Sequence, residues 1–115
     1  MKAKKHIEFD RVFAYLTEGK TDILWFQSED VMRRVGEALV ELTQSDDNDI
    51  EAEYDLMVVK VYGKHGICVD IVQNRHNQEI MFTNDKQMRR AGQCLIDLAR
   101  IGGNEVEITD EIKDK

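Results

Sequence analysis

The chain has no proline, only two cysteines and a single tryptophan among its 115 residues. Without proline there is no proline-rich linker to separate two domains. Two cysteines are too few for the disulfide framework of a small secreted domain, and they suit a reducing compartment. We therefore expect a single domain over 1–115, the commonest domain size, in the cytoplasm.

Long apolar runs are also missing. The stretch 56–59 (LMVV) is one of the longest, and it is far too short to cross a bilayer. The basic start at 1–5 is followed by charged residues instead of the apolar segment of a signal peptide. The sequence predicts no contact with a membrane.

Basic residues are the minority, with 16 Lys and Arg against 23 Asp and Glu and a net charge of −7. This balance disfavours nucleic acid as a partner, because binding to phosphate needs a surplus of cations. It favours attraction to a basic protein. The hydrophobic share of 42% is high enough to bury a core.

The most informative pattern is an internal similarity. Residues 26–42 and 82–98 match without a gap at an offset of 56, and Phe, Met, Arg, Arg, Gly, Leu and Leu recur in place. The same register extends upstream to Val12 and Cys68. It predicts two tandem ββα-type repeats, at about 6–56 and 57–110, and a frayed tail at 111–115. The alternative is convergent patterning of two amphipathic helices.

Each repeat is predicted to contain two strands and a helix. The strands are short and rich in β-branched and aromatic residues, and they are expected at 12–16, 23–26, 68–72 and 80–82. The polar stretches 17–22 and 73–78 are expected to be the hairpin loops between them. An alternating stretch at 49–56 predicts a further strand with one wet face.

The helices are predicted from their caps and their periodicity. Ser28 and Asn84 are good N-caps, and apolar residues follow both at helical spacing. The expected fold class is α+β, a mainly antiparallel sheet with two helices on one face and a pseudo-two-fold axis between the repeats. Gly36 and Gly92 lie in mid-helix, which indicates a close approach of another backbone.

Four arginines are candidates for binding an anion. Two pairs related by a pseudo-two-fold axis could converge on one phosphate or carboxylate, for which the guanidinium fork is suited. The alternative is surface ion pairs, because acidic residues stand four positions away on the same helices. The arginines are Arg33, Arg34, Arg89 and Arg90.

Two further surfaces are candidate interfaces. Trp25 and Met81 occupy the same repeat position and alternate with core residues, so they are expected on the sheet face opposite the helices, where self-association would cover them. A row of acidic residues is either a solvated strand face or a docking surface for a basic partner; it comprises Asp49, Glu51, Glu53 and Asp55.

No catalytic, metal or cofactor motif is recognisable. Cys68 and Cys94 align with apolar residues in the other repeat, so both thiols are predicted to be buried. The sequence therefore predicts no enzyme activity, no metal and no cofactor. We expect an interaction or regulatory protein that binds a protein partner or forms a homodimer. The alternatives are an acidic inhibitor of a basic partner and a binder of a small anion.

Overall fold

The structure is a computed structural model that describes residues 1–52 and 55–109. Its elements, in chain order, are β1 (Lys2–Glu8), β2 (Arg11–Glu18), β3 (Lys20–Phe26), α1 (Glu29–Thr43), β4 (Asp49–Ala52), β5 (Leu56–Gly63), β6 (Gly66–Gln73), β7 (His76–Phe82), α2 (Asp85–Arg100) and β8 (Glu105–Thr109). The predicted α+β class is confirmed. In the described part of the chain, neither helix is long and apolar enough to cross a membrane. The predicted tail at 111–115 lies outside the described residues.

The strands form two four-stranded antiparallel sheets, and the prediction of one sheet is wrong in this respect. Sheet A has the order β3-β2-β1-β8, and sheet B has the order β4-β5-β6-β7. The strand after each helix joins the sheet of the other half of the chain: β4 pairs with β5, and β8 pairs with β1. Each sheet is therefore completed by a strand exchanged from the other half.

A single core lies between the helices and one face of both sheets. In β2, Val12, Ala14 and Leu16 are buried and the residues between them are not, as period-two alternation requires. The molecule extends 37 × 37 × 21 Å, and its short axis fits two layers of secondary structure, which pack about 10 Å apart. Val12 is buried but Cys68 is only half-buried, so the expectation that both fill equivalent core positions is wrong.

The hairpin turns are tighter than the predicted loops. Gly19 alone, at φ +78°, separates β2 from β3, and Asn74 and Arg75, at φ +46° and +69°, separate β6 from β7. Two consecutive positive φ angles are typical of type I′ turns, whose twist suits antiparallel strands. The strands consequently extend through polar residues on both sides of each turn.

The predicted strand at 49–56 is also shorter than expected. Strand β4 ends at Ala52, and Asp55 lies in a turn with φ +51° just before β5 begins at Leu56. Asp55 is therefore not part of the acidic strand row. Glu53, which was assigned to the same row, lies outside the described residues.

Both predicted helix caps are confirmed. The hydroxyl oxygen of Ser28 accepts a hydrogen bond from the backbone N–H of Val31 at 3.2 Å, and the Asn84 side chain accepts one from the N–H of Gln87 at 2.9 Å. These bonds satisfy amides that the first turn leaves without a helical partner. The apolar faces of the two helices then pack against each other and into the common core.

The helices approach most closely at Gly36 and Gly92. A Cβ on Gly36 would lie 2.6 Å from the carbonyl oxygen of Gly92, and a Cβ on Gly92 would lie 2.6 Å from the carbonyl oxygen of Gly36. Only glycine permits this contact, because no real Cβ comes so near an oxygen. The mid-helix glycines thus have a packing role.

Two buried lysines close the C-terminal ends of the helices. Lys5 Nζ donates to the carbonyl oxygens of Leu98, at 2.9 Å, and Ile101, at the end of α2. Lys60 Nζ donates to the carbonyl of Leu42, at 2.5 Å, at the end of α1. A cation is favourable at the negative end of a helix dipole. Each lysine belongs to the opposite half of the chain from the helix that it caps.

Candidate functional site

The helices leave one face of both sheets uncovered, and we call it the outer face. In sheet A it comprises Lys2, Lys4, His6, Glu8, Arg11, Phe13, Tyr15, Thr17, Thr21, Ile23, Trp25, Glu105, Glu107 and Thr109. In sheet B it comprises Asp49, Glu51, Met57, Val59, Val61, Cys68, Asp70, Val72, Asn77, Glu79 and Met81. These are the strand residues that alternate with the core.

Large apolar side chains on the outer face are open to solvent. Ile23 is 60% exposed, Val61 is 56% exposed and Met81 is 45% exposed. Trp25 and Phe13 lie directly opposite each other on β3 and β2, and both are half-buried. Trp25 and Met81 are therefore on the face where the alternation places them. Patches of exposed apolar side chains are typical of protein interaction surfaces.

The outer face passes from one sheet to the other beside Trp25. Strand β3 is an edge of sheet A, yet the Trp25 carbonyl accepts hydrogen bonds from the side chains of Gln73 and Gln78, both at 2.7 Å. The Trp25 N–H donates to the Gln78 side chain at 2.8 Å. The indole ring also packs edge-on against His76, with ring centroids 5.4 Å apart. The two sheets therefore present one connected surface.

Charge divides the outer face into two unlike halves. All of its cationic strand residues, Lys2, Lys4 and Arg11, lie on β1 and β2 of sheet A. Among the described residues, sheet B contributes only acidic charged residues to this face, namely Asp49, Glu51, Asp70 and Glu79. Sheet A has acids as well: Glu8 lies opposite Arg11, and β8 adds two glutamates at the far edge. Sheet A thus presents both signs of charge on this face, whereas sheet B presents negative charge.

The predicted acidic row is partly correct and partly replaced. Asp49 and Glu51 are exposed on β4, as expected. The register then runs from Asp49 across β5 to Asp70 and to Glu79, which pair directly on β6 and β7. Sequence reasoning missed Asp70 and Glu79, because a six-residue loop at 73–78 would not have placed them opposite each other. Recognition of the Asn74–Arg75 turn would have found the pair.

Cys68 forms a cluster with these two acids. One ligand atom each from Cys68, Asp70 and Glu79 lies within 4.8 Å of the others. Burial raises the pKa of the Cys68 thiol, and the negative charges of Glu79 and Asp70 raise it further. Cys68 is half-buried on the outer face, so the prediction that it is a core residue is wrong, whereas Cys94 is buried as predicted.

The two arginines of α1 bind acids of their own helix. Arg33 Nη1 lies 2.9 Å from Glu37 Oε1, which confirms that i,i+4 pair. Arg34 Nη1 lies 3.2 Å from Glu41 Oε1. Glu29, four residues before Arg33, accepts a hydrogen bond from buried Lys5 at 3.3 Å.

The two arginines of α2 point to different elements. Arg89 Nε donates to the hydroxyl of Thr43 at 3.3 Å, at the end of α1. Arg90 forms an ion pair with Glu18 at the β2–β3 turn, beside a cleft of about 400 Å³. Burial raises the pKa of Glu18, but hydrogen bonds from Gln87 and Arg90 outweigh it, and the pKa lies below its usual value. The charge of Arg90 is thus already matched.

The structure does not bring the four arginines together. The helices are antiparallel, because Gly36 meets Gly92 while Thr43, further along α1, meets the earlier residue Arg89. Arg33 and Arg89 each stand three residues before the crossing glycine of their own helix, about 4.5 Å along the axis. In an antiparallel pair they therefore lie on opposite sides of the helix crossing. Anion binding by the arginines stays a prediction that this arrangement does not favour.

No protein-family model, curated protein or solved structure matches the chain at a significant level. Two features of the described residues bear on function. One is the partly apolar outer face with its two halves of unlike charge. The other is the cluster around Cys68 within that face.

Proposed function

We propose that this chain is a non-enzymatic interaction protein that works as a homodimer, with the outer face as its interface. The observation that carries the proposal is the set of exposed apolar side chains, among them Ile23, Val61 and Met81, on the face without helices. Covering them with protein removes apolar surface from water, at about 25 cal/mol per Å².

The charge pattern favours a second copy of the chain as the occupant. A two-fold dimer uses the same surface on both subunits, so sheet A of one copy lies on sheet B of the other, twice. The cations Lys2, Lys4 and Arg11 would then face the acidic row that contains Asp49 and Glu51. Complementary potentials of this kind steer association and fix the relative orientation of the partners.

The size of the face is sufficient. A stable interface buries about 800 Å² on each partner. The two broad extents of the molecule are both 37 Å, and the outer face occupies that broad side. Even partial overlap of two such faces reaches the required area, whereas the edges of a molecule only 21 Å thick offer less.

Sedimentation equilibrium tests the proposal. The unmodified chain is expected to sediment at twice 13.4 kDa, and the double variant Ile23→Glu, Met81→Glu at 13.4 kDa, because four carboxylates would be buried in the interface. Phe9→Glu is the matched control: Phe9 is 87% exposed in the β1–β2 turn, outside the outer face, so this variant should remain a dimer. A monomeric parent chain, or a dimeric double variant, would overturn the proposal.

We also propose that the fold arose by duplication and has a pseudo-two-fold axis through the helix crossing. Gly36 and Gly92, 56 positions apart, make reciprocal contacts. Lys5 and Lys60 are 55 positions apart, and the helix carbonyls that they cap, those of Leu98 and Leu42, are 56 positions apart. The first hairpin has one turn residue, Gly19, where the second has two, Asn74 and Arg75, and this extra residue accounts for the difference between 55 and 56. This shift also explains why Val12 and Cys68 do not occupy equivalent positions.

A second candidate function uses the acidic half alone. The described residues on the outer face of sheet B include four carboxylates and no strand cation, and two of the carboxylates, Asp49 and Glu51, are exposed on an edge strand. Such a surface suits a basic protein, as an acidic inhibitor would require. Sedimentation distinguishes the homodimer from the acidic inhibitor. An inhibitor that binds through sheet B alone would leave Ile23 on sheet A uncovered, and the chain without its partner would be monomeric.

A further inference from the structure

The cluster around Cys68 has the arrangement of a metal site. Cys68 and Asp70 are two residues apart on β6 and so share the outer face, and Glu79 on β7 lies directly opposite Asp70. Their ligand atoms lie within 4.8 Å of one another. Ligand atoms around a tetrahedral zinc are about 3.3–3.6 Å apart for ordinary Zn–S and Zn–O bonds. Small side-chain rotations would close the difference.

The electrostatics of the cluster are unsatisfied in the described part of the chain. Asp70 Oδ1 is buried and has no hydrogen-bond partner there. Asp70 and Glu79 are like charges placed directly opposite each other on neighbouring strands, which is destabilising. Within residues 1–52 and 55–109, no strand cation lies on the outer face of sheet B to offset them. A cation held between the two carboxylates would remove both penalties.

We propose that Cys68, Asp70 and Glu79 bind a divalent transition-metal ion of the zinc type. A thiolate ligand selects Zn²⁺ or a similar ion over Mg²⁺ and Ca²⁺, which prefer oxygen alone. Three protein ligands leave a fourth position for water. On binding, the metal replaces the proton of the Cys68 thiol, and that proton passes to the solvent. All three ligands belong to one chain, so the site does not depend on dimerisation.

Cobalt is the probe for the test, because a Co²⁺–thiolate bond produces a charge-transfer band in the near ultraviolet. The full reduced chain, stripped with a chelator, is titrated with Co²⁺ and then with Zn²⁺. We expect saturation at one Co²⁺ per chain and displacement by Zn²⁺. Cys68→Ser should abolish the band, and Asp70→Asn should weaken binding at least tenfold.

Two controls keep the test decisive. Asp49→Asn removes an acid of the same face outside the cluster and should change the affinity less than twofold. Glu79→Gln replaces an exposed side chain, so it tests the site even if Cys68→Ser does not fold as judged by circular dichroism. The proposal is overturned if the parent chain does not saturate with Co²⁺, or if Cys68→Ser keeps the band through Cys94. It is also overturned if Asp49→Asn weakens binding as much as Asp70→Asn.

Discussion

At the scale of single residues, Lys5 and Lys60 have the least expected positions. Both are buried, although each lies in a strand segment that also contains exposed residues. A buried ammonium group is costly unless it is hydrogen-bonded, and here the acceptors are helix carbonyls that would otherwise have no partner. In the sequence 2–8 (KAKKHIE), Lys5 alternates in phase with Ala3 and Ile7, which favours the core side, but no local signal shows what would pair with its ammonium group. The role of Lys5 is set by distant carbonyls on α2.

Removing either ammonium group should destabilise the fold. Lys5→Met keeps most of the side-chain volume but leaves the carbonyls of Leu98 and Ile101 without their donor, so we expect a loss of about 2 kcal/mol in the free energy of unfolding. Lys60→Met should cost a similar amount. Urea denaturation measures both variants, with Lys64→Met in the exposed β5–β6 turn as the control. Equal stability of Lys64→Met and Lys5→Met would show that the caps contribute nothing.

At the scale of elements, the helices were predictable and the hairpins only in part. Caps and apolar periodicity are local signals, and Ser28 and Asn84 begin the helices as expected. The predicted loops are too long because β3 and β7 begin with polar residues, whose composition is typical of loops. The error had a consequence: with a long loop assigned at 73–78, the facing pair Asp70 and Glu79 could not be foreseen.

The helix crossing yields a prediction at this scale. Gly36→Ala should improve helix propensity by about 1 kcal/mol, yet its Cβ would clash with the Gly92 carbonyl, so we expect a net loss of about 2 kcal/mol. Gly92→Ala should behave alike. The double variant should lose less stability than the sum of the losses of the two single variants, because the first methyl group already pushes the helices apart and makes room for the second.

Thermal and urea unfolding of the three variants provide the test. The matched control is Gln93→Ala, on the exposed side of α2, which should change the stability by less than about 0.5 kcal/mol. Strict additivity of the two glycine variants would mean that their methyl groups are accommodated separately. A stabilised Gly36→Ala would mean that the helices do not approach as closely as 2.6 Å implies.

At the scale of the whole molecule, the exchanged strands decide the architecture. The α+β class follows from local patterns, but the division into two sheets does not, because β4 and β8 carry no signal of which neighbour they will pair with. Strand β4 is only four residues long, and it pairs with the next strand along the chain. Strand β8 pairs with β1, about a hundred positions earlier. The hydrophobic periodicity of a strand predicts which of its faces is buried, but it does not predict which distant strand it will pair with.

A circular permutant tests this arrangement. Lys2 pairs with Thr109, so the two ends of the described chain are adjacent and a short linker can join them. We expect a chain that starts at Asp55 and ends at Ala52 to fold with a stability within about 2 kcal/mol of the parent. Circular dichroism and urea denaturation check it. Residues 1–52 alone should not fold, since sheet A would lack β8; a folded half would contradict the exchange.

The exchange of strands also affects how the protein is made. A ribosome delivers the first half before the second, and domains begin to fold as they emerge. When α1 first emerges from the ribosome, Lys60 has not yet emerged, and the β1 edge that β8 will cover is still open. The nascent chain therefore carries an uncapped helix end until Lys60 emerges and an unpaired strand edge until β8 emerges. Sheet A is completed only then, and until that point the exposed edge is a binding site for chaperones.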